Sequence, residues 1–76
     1  MKVTQAVTSL GALIALKAGH KVRCTRWAEG RYIEVVADKI VLCEGVRQVD
    51  TDTTTQNAIL QDLVLIDSWE ILDYEV

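Results

Sequence analysis

The segment Lys21-Val22-Arg23-Cys24-Thr25-Arg26-Trp27-Ala28-Glu29-Gly30-Arg31-Tyr32 places three arginines, one lysine and two of the four aromatic residues of the chain within twelve positions. An arginine fork makes two parallel hydrogen bonds to a phosphate, and an indole or phenol face stacks on a nucleobase for about 1–3 kcal/mol per base. Gly30 lets the backbone turn sharply or approach a ligand closely. These residue types suit a nucleotide, with phosphate contacts drawn from Arg23, Arg26 and Arg31 and stacking surfaces from Trp27 and Tyr32. The same residues also admit a purely structural reading. A chain without Phe has reason to use Trp27 and Tyr32 as core, with the arginines solvated around them.

Little else in the sequence has the pattern of a reaction centre. The single histidine, His20, follows Gly19 directly, and a partly positive ring there suits the negative end of a helix dipole. No nucleophile elbow, zinc-binding, phosphate-loop or dinucleotide-binding glycine motif is present. Cys24 and Cys43 form neither a CxxC pair nor a four-ligand set, and in strand-like apolar surroundings each reads as a small hydrophobe. Asp62 and Asp67 could share acid–base work only if a fold held them together. These residues give catalysis little to stand on, so no enzyme activity, metal or cofactor is expected.

Length and charge narrow the partners. Seventy-six residues leave room for one domain, 1–76, and such a chain buries little more than ~60% of its unfolded surface. Two cysteines cannot supply a disulfide framework, so association with further copies is the expected source of added stability. All eight Lys and Arg and four of the eleven acids lie in residues 1–49, for +4; the other seven acids lie in 50–76 without a base, for −7. A net charge of −3 disfavours a nucleic-acid polymer as partner. A small anion responds mainly to charges within ~8–10 Å and can still be attracted by the cationic run from Lys17 to Arg31. The alternative use of this charge is pairing of the basic half with the acidic tail, across the fold or between subunits. Met1-Lys2 and the apolar run Leu10–Leu16 resemble a secretory signal only loosely, because Thr4, Gln5, Thr8 and Ser9 dilute the run and Lys17 ends it. No stretch approaches the ~20 apolar residues of a membrane span, so a cytosolic location with reduced thiols is expected.

Holding that segment requires few elements. Leu10, Leu13, Ile14 and Ala18 fall at helical spacing with Leu16 on the flank, which predicts a helix capped by Thr8 or Ser9, burying that stripe and closing at Gly19. Lys21–Cys24 and Arg31–Ala37 read as strands around a loop at 25–30. Turns at Asp38-Lys39 and Glu44-Gly45 then lead into Ile40–Cys43 and Val46–Val49 as a meander. The polar stretch Asp50–Asn57 reads as a surface loop, Ala58–Leu65 as a short helical turn, and Trp69–Leu72 as a final strand. Trp69, among Leu65, Ile66 and Ile71, is expected in the core or an interface. The predicted class is α+β: one short N-terminal helix packed on a small antiparallel sheet of four to five strands.

Two blocks carry a resemblance. Leu16-Lys17-Ala18-Gly19-His20-Lys21-Val22-Arg23, then Arg26-Trp27 and Gly30-Arg31-Tyr32-Ile33, followed near the end by Asp62-Leu63 and Asp67-Ser68-Trp69-Glu70-Ile71, resemble the short phage proteins of the Thoeris anti-defence type-two family. Those proteins run A-x-x-x-L-K-x-G-K-K-V-x-R-x-x-W-x-x-G-x-Y-I near the start and D-L-L-x-x-D-W-E-I near the end. This chain departs from them at Ala28, where many longer members have Asn, and at Ser68, which separates Asp67 from Trp69. The resemblance implies a homo-oligomer, typically a tetramer, acting in the cytoplasm of a bacteriophage-infected host. It implies sequestration, without cleavage, of a cyclic nucleotide immune signal such as a cyclic ADP-ribose isomer or a cyclic oligonucleotide. It also implies that Trp27 lines a pocket between subunits. Two other readings remain open at this stage: a small interaction module or inhibitor that binds a protein partner through the acidic tail, and a nucleotide-processing enzyme.

Overall fold

The computed structural model describes residues 1–49 and 52–76. In chain order the elements are β1 (Lys2–Val7), α1 (Ser9–Lys17), β2 (Val22–Cys24), β3 (Arg31–Val36), β4 (Lys39–Glu44), β5 (Arg47–Val49), α2 (Thr53–Leu65) and β6 (Trp69–Glu75). The strands form one antiparallel sheet in the order β1-β6-β2-β3-β4-β5. The α+β class and the β3–β4–β5 meander stand as read from the sequence. The element count does not, since the described residues form two helices and six strands.

The last strand enters the sheet interior, between β1 and β2, with Trp69 opposite both Val7 and Cys24, and Ile71 opposite Val22. Successive side chains of a strand point to opposite faces, so Val22, Cys24, Ile33, Leu42, Trp69 and Ile71 share the face covered by the helices. Ala12, Ala15 and Leu16 of α1 and Ile59 and Leu63 of α2 complete that core. The Trp69 indole is 1% exposed and its Nε1 donates to the Ile66 carbonyl at 2.6 Å, which satisfies its one polar atom.

Three expectations are corrected. The buried stripe of α1 is Ala12, Ala15 and Leu16, while Leu10, Leu13 and Ile14 stand exposed. Small alanines let the helix lie close on the sheet, and this outweighs the bulk that the spacing rule favours. The loop and single turn expected over Asp50–Leu65 give way to a helix beginning at Thr53; Asp50 and Thr51 lie outside the described residues. Asp52 explains that start, because its carboxylate accepts from the Thr55 amide at 2.8 Å and offsets the poor helix propensity of three successive threonines. Finally, β1 is a strand that the dilute pattern of residues 2–7 did not announce, paired to β6 with a register shift between Val3 and Gln5.

The β3–β4 turn falls one residue earlier than the Asp38-Lys39 the sequence suggests, on Ala37 and Asp38. Ala37 and Asp38 have φ of 51° and 64°, the left-handed pair of a two-residue hairpin. Alanine is strained there, so Ala37→Asn should raise stability by roughly 0.5–1 kcal/mol in urea unfolding.

Two carboxylates accept from backbone amides at the starts of the helices. Besides Asp52, Asp67 accepts from the Ser9 amide at the start of α1 at 2.8 Å. The Thr55 and Ser9 backbone bonds hold Asp52 and Asp67, respectively, below the ordinary carboxylate value of 3.8. Folding therefore favours the ionised forms. The contribution is complete above the unfolded-state value and is lost as pH falls through the lower folded-state values. A double variant, Asp52→Asn with Asp67→Asn, should lose less stability than the parent between about pH 5 and about pH 2, measured by urea midpoints.

Candidate functional site

The cationic segment begins on β2, crosses the 25–30 loop and enters β3. The Trp27 amide donates to the Cys24 carbonyl at 3.1 Å and the Arg31 amide to the Ala28 carbonyl at 3.2 Å, which folds the loop onto the end of the sheet. Gly30 sits at φ +87°, a conformation that L side chains rarely adopt, and its carbonyl accepts from the Gly45 amide at 2.7 Å. On the other side, Thr25 is tied to Ser68: its amide and hydroxyl both donate to the Ser68 carbonyl at 3.2 Å, and the two hydroxyls lie 2.8 Å apart. The loop is thus held to both the β4–β5 turn and the start of β6.

The five residues singled out from sequence divide between two places. Arg23 and Tyr32 alternate with the buried Val22, Cys24 and Ile33, so they lie on the helix-free face. Trp27 packs against the core from the loop, with its ring 5.4 Å from Trp69 at 81°, an edge-to-face contact. The Arg31 guanidinium carbon lies 5.8 Å from the centre of the Trp27 ring, within cation–π range. Arg26 is exposed on the loop and makes no ion pair among the described residues. A single copy therefore brings Arg31 onto Trp27, leaves Arg26 on the adjoining loop surface, and sends Arg23 and Tyr32 elsewhere.

Arg23 is occupied within the chain. Its Nη1 donates to Glu70 Oε1 at 2.6 Å and its Nη2 to the Trp27 carbonyl at 2.8 Å, with the side chain 18% exposed. One fork thus joins β2, β6 and the tryptophan of the loop. Its Nε and that of Arg31 are both buried without a hydrogen-bond partner. Tyr32 lies under the Lys21 ammonium, 5.6 Å from the ring centre. Burial, a hydrogen bond with Cys43, and the nearby Cys43 and Glu34 raise the Tyr32 hydroxyl above its ordinary value. Burial likewise pushes the Cys43 thiol up, and its Sγ donates to Glu34 Oε1 at 3.7 Å. Both cysteines are buried and unpaired. His20 is not merely a helix-end residue, since its Nδ1 lies 3.2 Å from Asp73 Oδ1, which also accepts from the Lys21 amide at 2.9 Å.

Where Arg31 meets the loop there is a cleft of about 270 Å³ lined by Ala28, Glu29, Gly30, Arg31, Glu44 and Gly45. Sequence reading passed over Glu29 and Glu44. The signal for Glu44 was the hairpin register, which sets it opposite Arg31 on β4. A guanidinium beside two carboxylates can donate to a phosphate while the acids accept from ribose hydroxyls. On the helix-free face a second cleft of about 240 Å³ contains Thr4, Arg23, Glu29, Gly30, Glu70 and Leu72. Among the described residues no group of three or more His, Cys, Asp or Glu is placed to hold a metal ion, and no helix is long and apolar enough to cross a membrane. Comparison with known proteins finds no matching family model, no matching curated protein and no matching solved structure.

The Arg23 fork makes a stability prediction. Glu70→Ala leaves a largely buried guanidinium without its carboxylate and should cost roughly 2–3 kcal/mol in chemical denaturation. A loss under about 0.5 kcal/mol would place the pair among solvent-screened surface ion pairs.

Proposed function

We propose that this chain binds and sequesters a cyclic nucleotide second messenger, a cyclic ADP-ribose isomer or a cyclic oligonucleotide, without cleaving it, at a site that two copies build together in the host cytoplasm. The observation that carries this reading is that Arg31, which lines the cleft bounded by Gly30 and Gly45, also lies within cation–π range of the Trp27 ring, with the exposed Arg26 on the same loop. Arg26 and Arg31 are the phosphate contacts, and Trp27 supplies the stacking surface. Glu29 and Glu44 accept from sugar hydroxyls. Arg23 holds Trp27 through its carbonyl rather than touching phosphate.

The size of the cleft supports a shared site. Nucleotide-sized ligands need pockets of ~300–1,000 Å³ that cover most of their surface. About 270 Å³ open to one side supplies part of such a pocket, and a symmetric second copy supplies the facing wall. Equilibrium capture needs only this complementarity; no group has to stabilise a transition state. The alternative of a protein-binding acidic tail has less support, because Glu70, Asp73 and Glu75 already face Arg23, His20 and the terminal amine.

Titration calorimetry against cyclic ADP-ribose isomers and cyclic di- and trinucleotides should find at least one ligand bound more tightly than micromolar, recoverable unchanged after heat denaturation. Arg26→Ala, at an exposed position, should weaken that ligand by roughly 10- to 100-fold with thermal stability unchanged. If the whole panel stays weaker than micromolar, the reading fails; recovery of a cleaved product would turn it into an enzyme.

A further inference from the structure

The outer surfaces of the helices do not match those of helices that end in water. A helix packed on one side ordinarily carries charge on the other. Here α1 has one charged residue, Lys17, and α2 has one, Asp62, which is half-buried. In place of charge, Leu10, Ile14, Leu60, Val64 and Leu65 stand exposed, Ile14 at 60% and Val64 at 80%.

Their spacing gives that surface a shape. Side chains four residues apart form ridges, and helices pack by seating the ridge of one in the groove of another. On α2 the row Leu60–Val64 and the row Asn57–Gln61–Leu65 bound an open groove of about 590 Å³. On α1 Leu10 and Ile14 form a ridge of the same spacing. Ridge and groove are both exposed in the same chain, so the ridge of one copy is available to fill the groove of another.

We propose that a second copy of this chain covers the helix layer, the Leu10–Ile14 ridge of each copy seated in the α2 groove of the other. A two-fold axis makes that contact twice, because each chain supplies both halves. The near absence of charge gives an acidic or basic partner nothing to recognise, whereas it suits an apolar surface meeting itself. A stable pair removes ~800 Å² per partner, an area that two helix–helix contacts can provide. Matching rows at four-residue spacing would cross at about −50°. This interface stands independently of the ligand reading, since it uses neither the 25–30 loop nor either cleft beside it.

Size-exclusion chromatography with light scattering on the full chain tests the proposal without ligand. The parent should run as a dimer or larger. Ile14→Glu and Val64→Lys should each weaken association by ~100-fold or more, because each buries a charge against an apolar surface. Circular dichroism should stay unchanged, as both positions are exposed. Mixing the two variants should restore a heterodimer, with the new carboxylate of one copy facing the new ammonium of the other. Should either charged variant lose its fold, Ile14→Asn and Val64→Asn are read in the same way. A parent that is monomeric well above micromolar concentration hands this face to some other occupant and overturns the proposal. So do variants that leave the assembly intact, or a mixture that stays monomeric.

Discussion

The fold depends on the C-terminal strand lying inside the sheet. Once β6 is inserted between β1 and β2, Trp69 and Ile71 become the centre of the core, and Glu70, pointing the other way, meets Arg23 at 2.6 Å. This arrangement uses part of the opposite charge of the two ends of the chain, pairing Arg23 with Glu70 and setting Asp73 beside His20 and Glu75 beside the terminal amine. Of these the exposed terminal pair adds little. The Arg23 fork matters most, because it is largely buried and its second amine holds the Trp27 carbonyl.

That fork changes how the cationic segment is understood. Four basic residues in one run suggest one anion site, but the period of a strand sends neighbours to opposite faces. Arg23 and Tyr32 become parts of a polar layer with Lys21, Glu34, Cys43 and Glu70, while Trp27 and Arg31 stay with the loop at the sheet end. The Arg31 guanidinium lies within cation–π range of the Trp27 indole, which meets the buried Trp69 edge to face, so this arginine is more restrained than a free surface side chain. Arg23 and Arg31 line two clefts that share the Glu29–Gly30 tip.

The sequence made legible the parts governed by local chemistry. Thr8 caps α1, Gly19 takes the left-handed conformation just beyond it, and the β3–β4–β5 meander falls within a residue of where alternation and turn residues put it. What it hid was set by distant contacts. The strand at 2–7 exists because β6 offers it an edge, and no pattern within six mixed residues reports that. The helix at 53–65 was masked by threonines whose low propensity is outweighed by the Asp52 cap and by Ile59 and Leu63 packing on the core. The buried face of α1 escapes a pattern of bulky residues, because the positions against the sheet include Ala12 and Ala15. In the candidate site the residue types were legible. Their partition between faces was not, because it depends on where β2 and β3 start and on the register that sets Glu44 opposite Arg31.

If the proposed function holds, Trp27, its carbonyl held by Arg23 and its ring within cation–π range of Arg31, contacts a phosphate-bearing nucleotide. The chain has two indoles, and that of Trp69 is sealed against the Ile66 carbonyl, so nitrogen-edited NMR can watch each separately. On titration with a cyclic ADP-ribose isomer or cyclic dinucleotide, the Trp27 indole N–H and the Arg26 and Arg31 amides should shift strongly and saturably, with the Trp69 indole moving far less. Unmoved Trp27 and arginine signals at saturating concentrations of every such nucleotide would contradict the account.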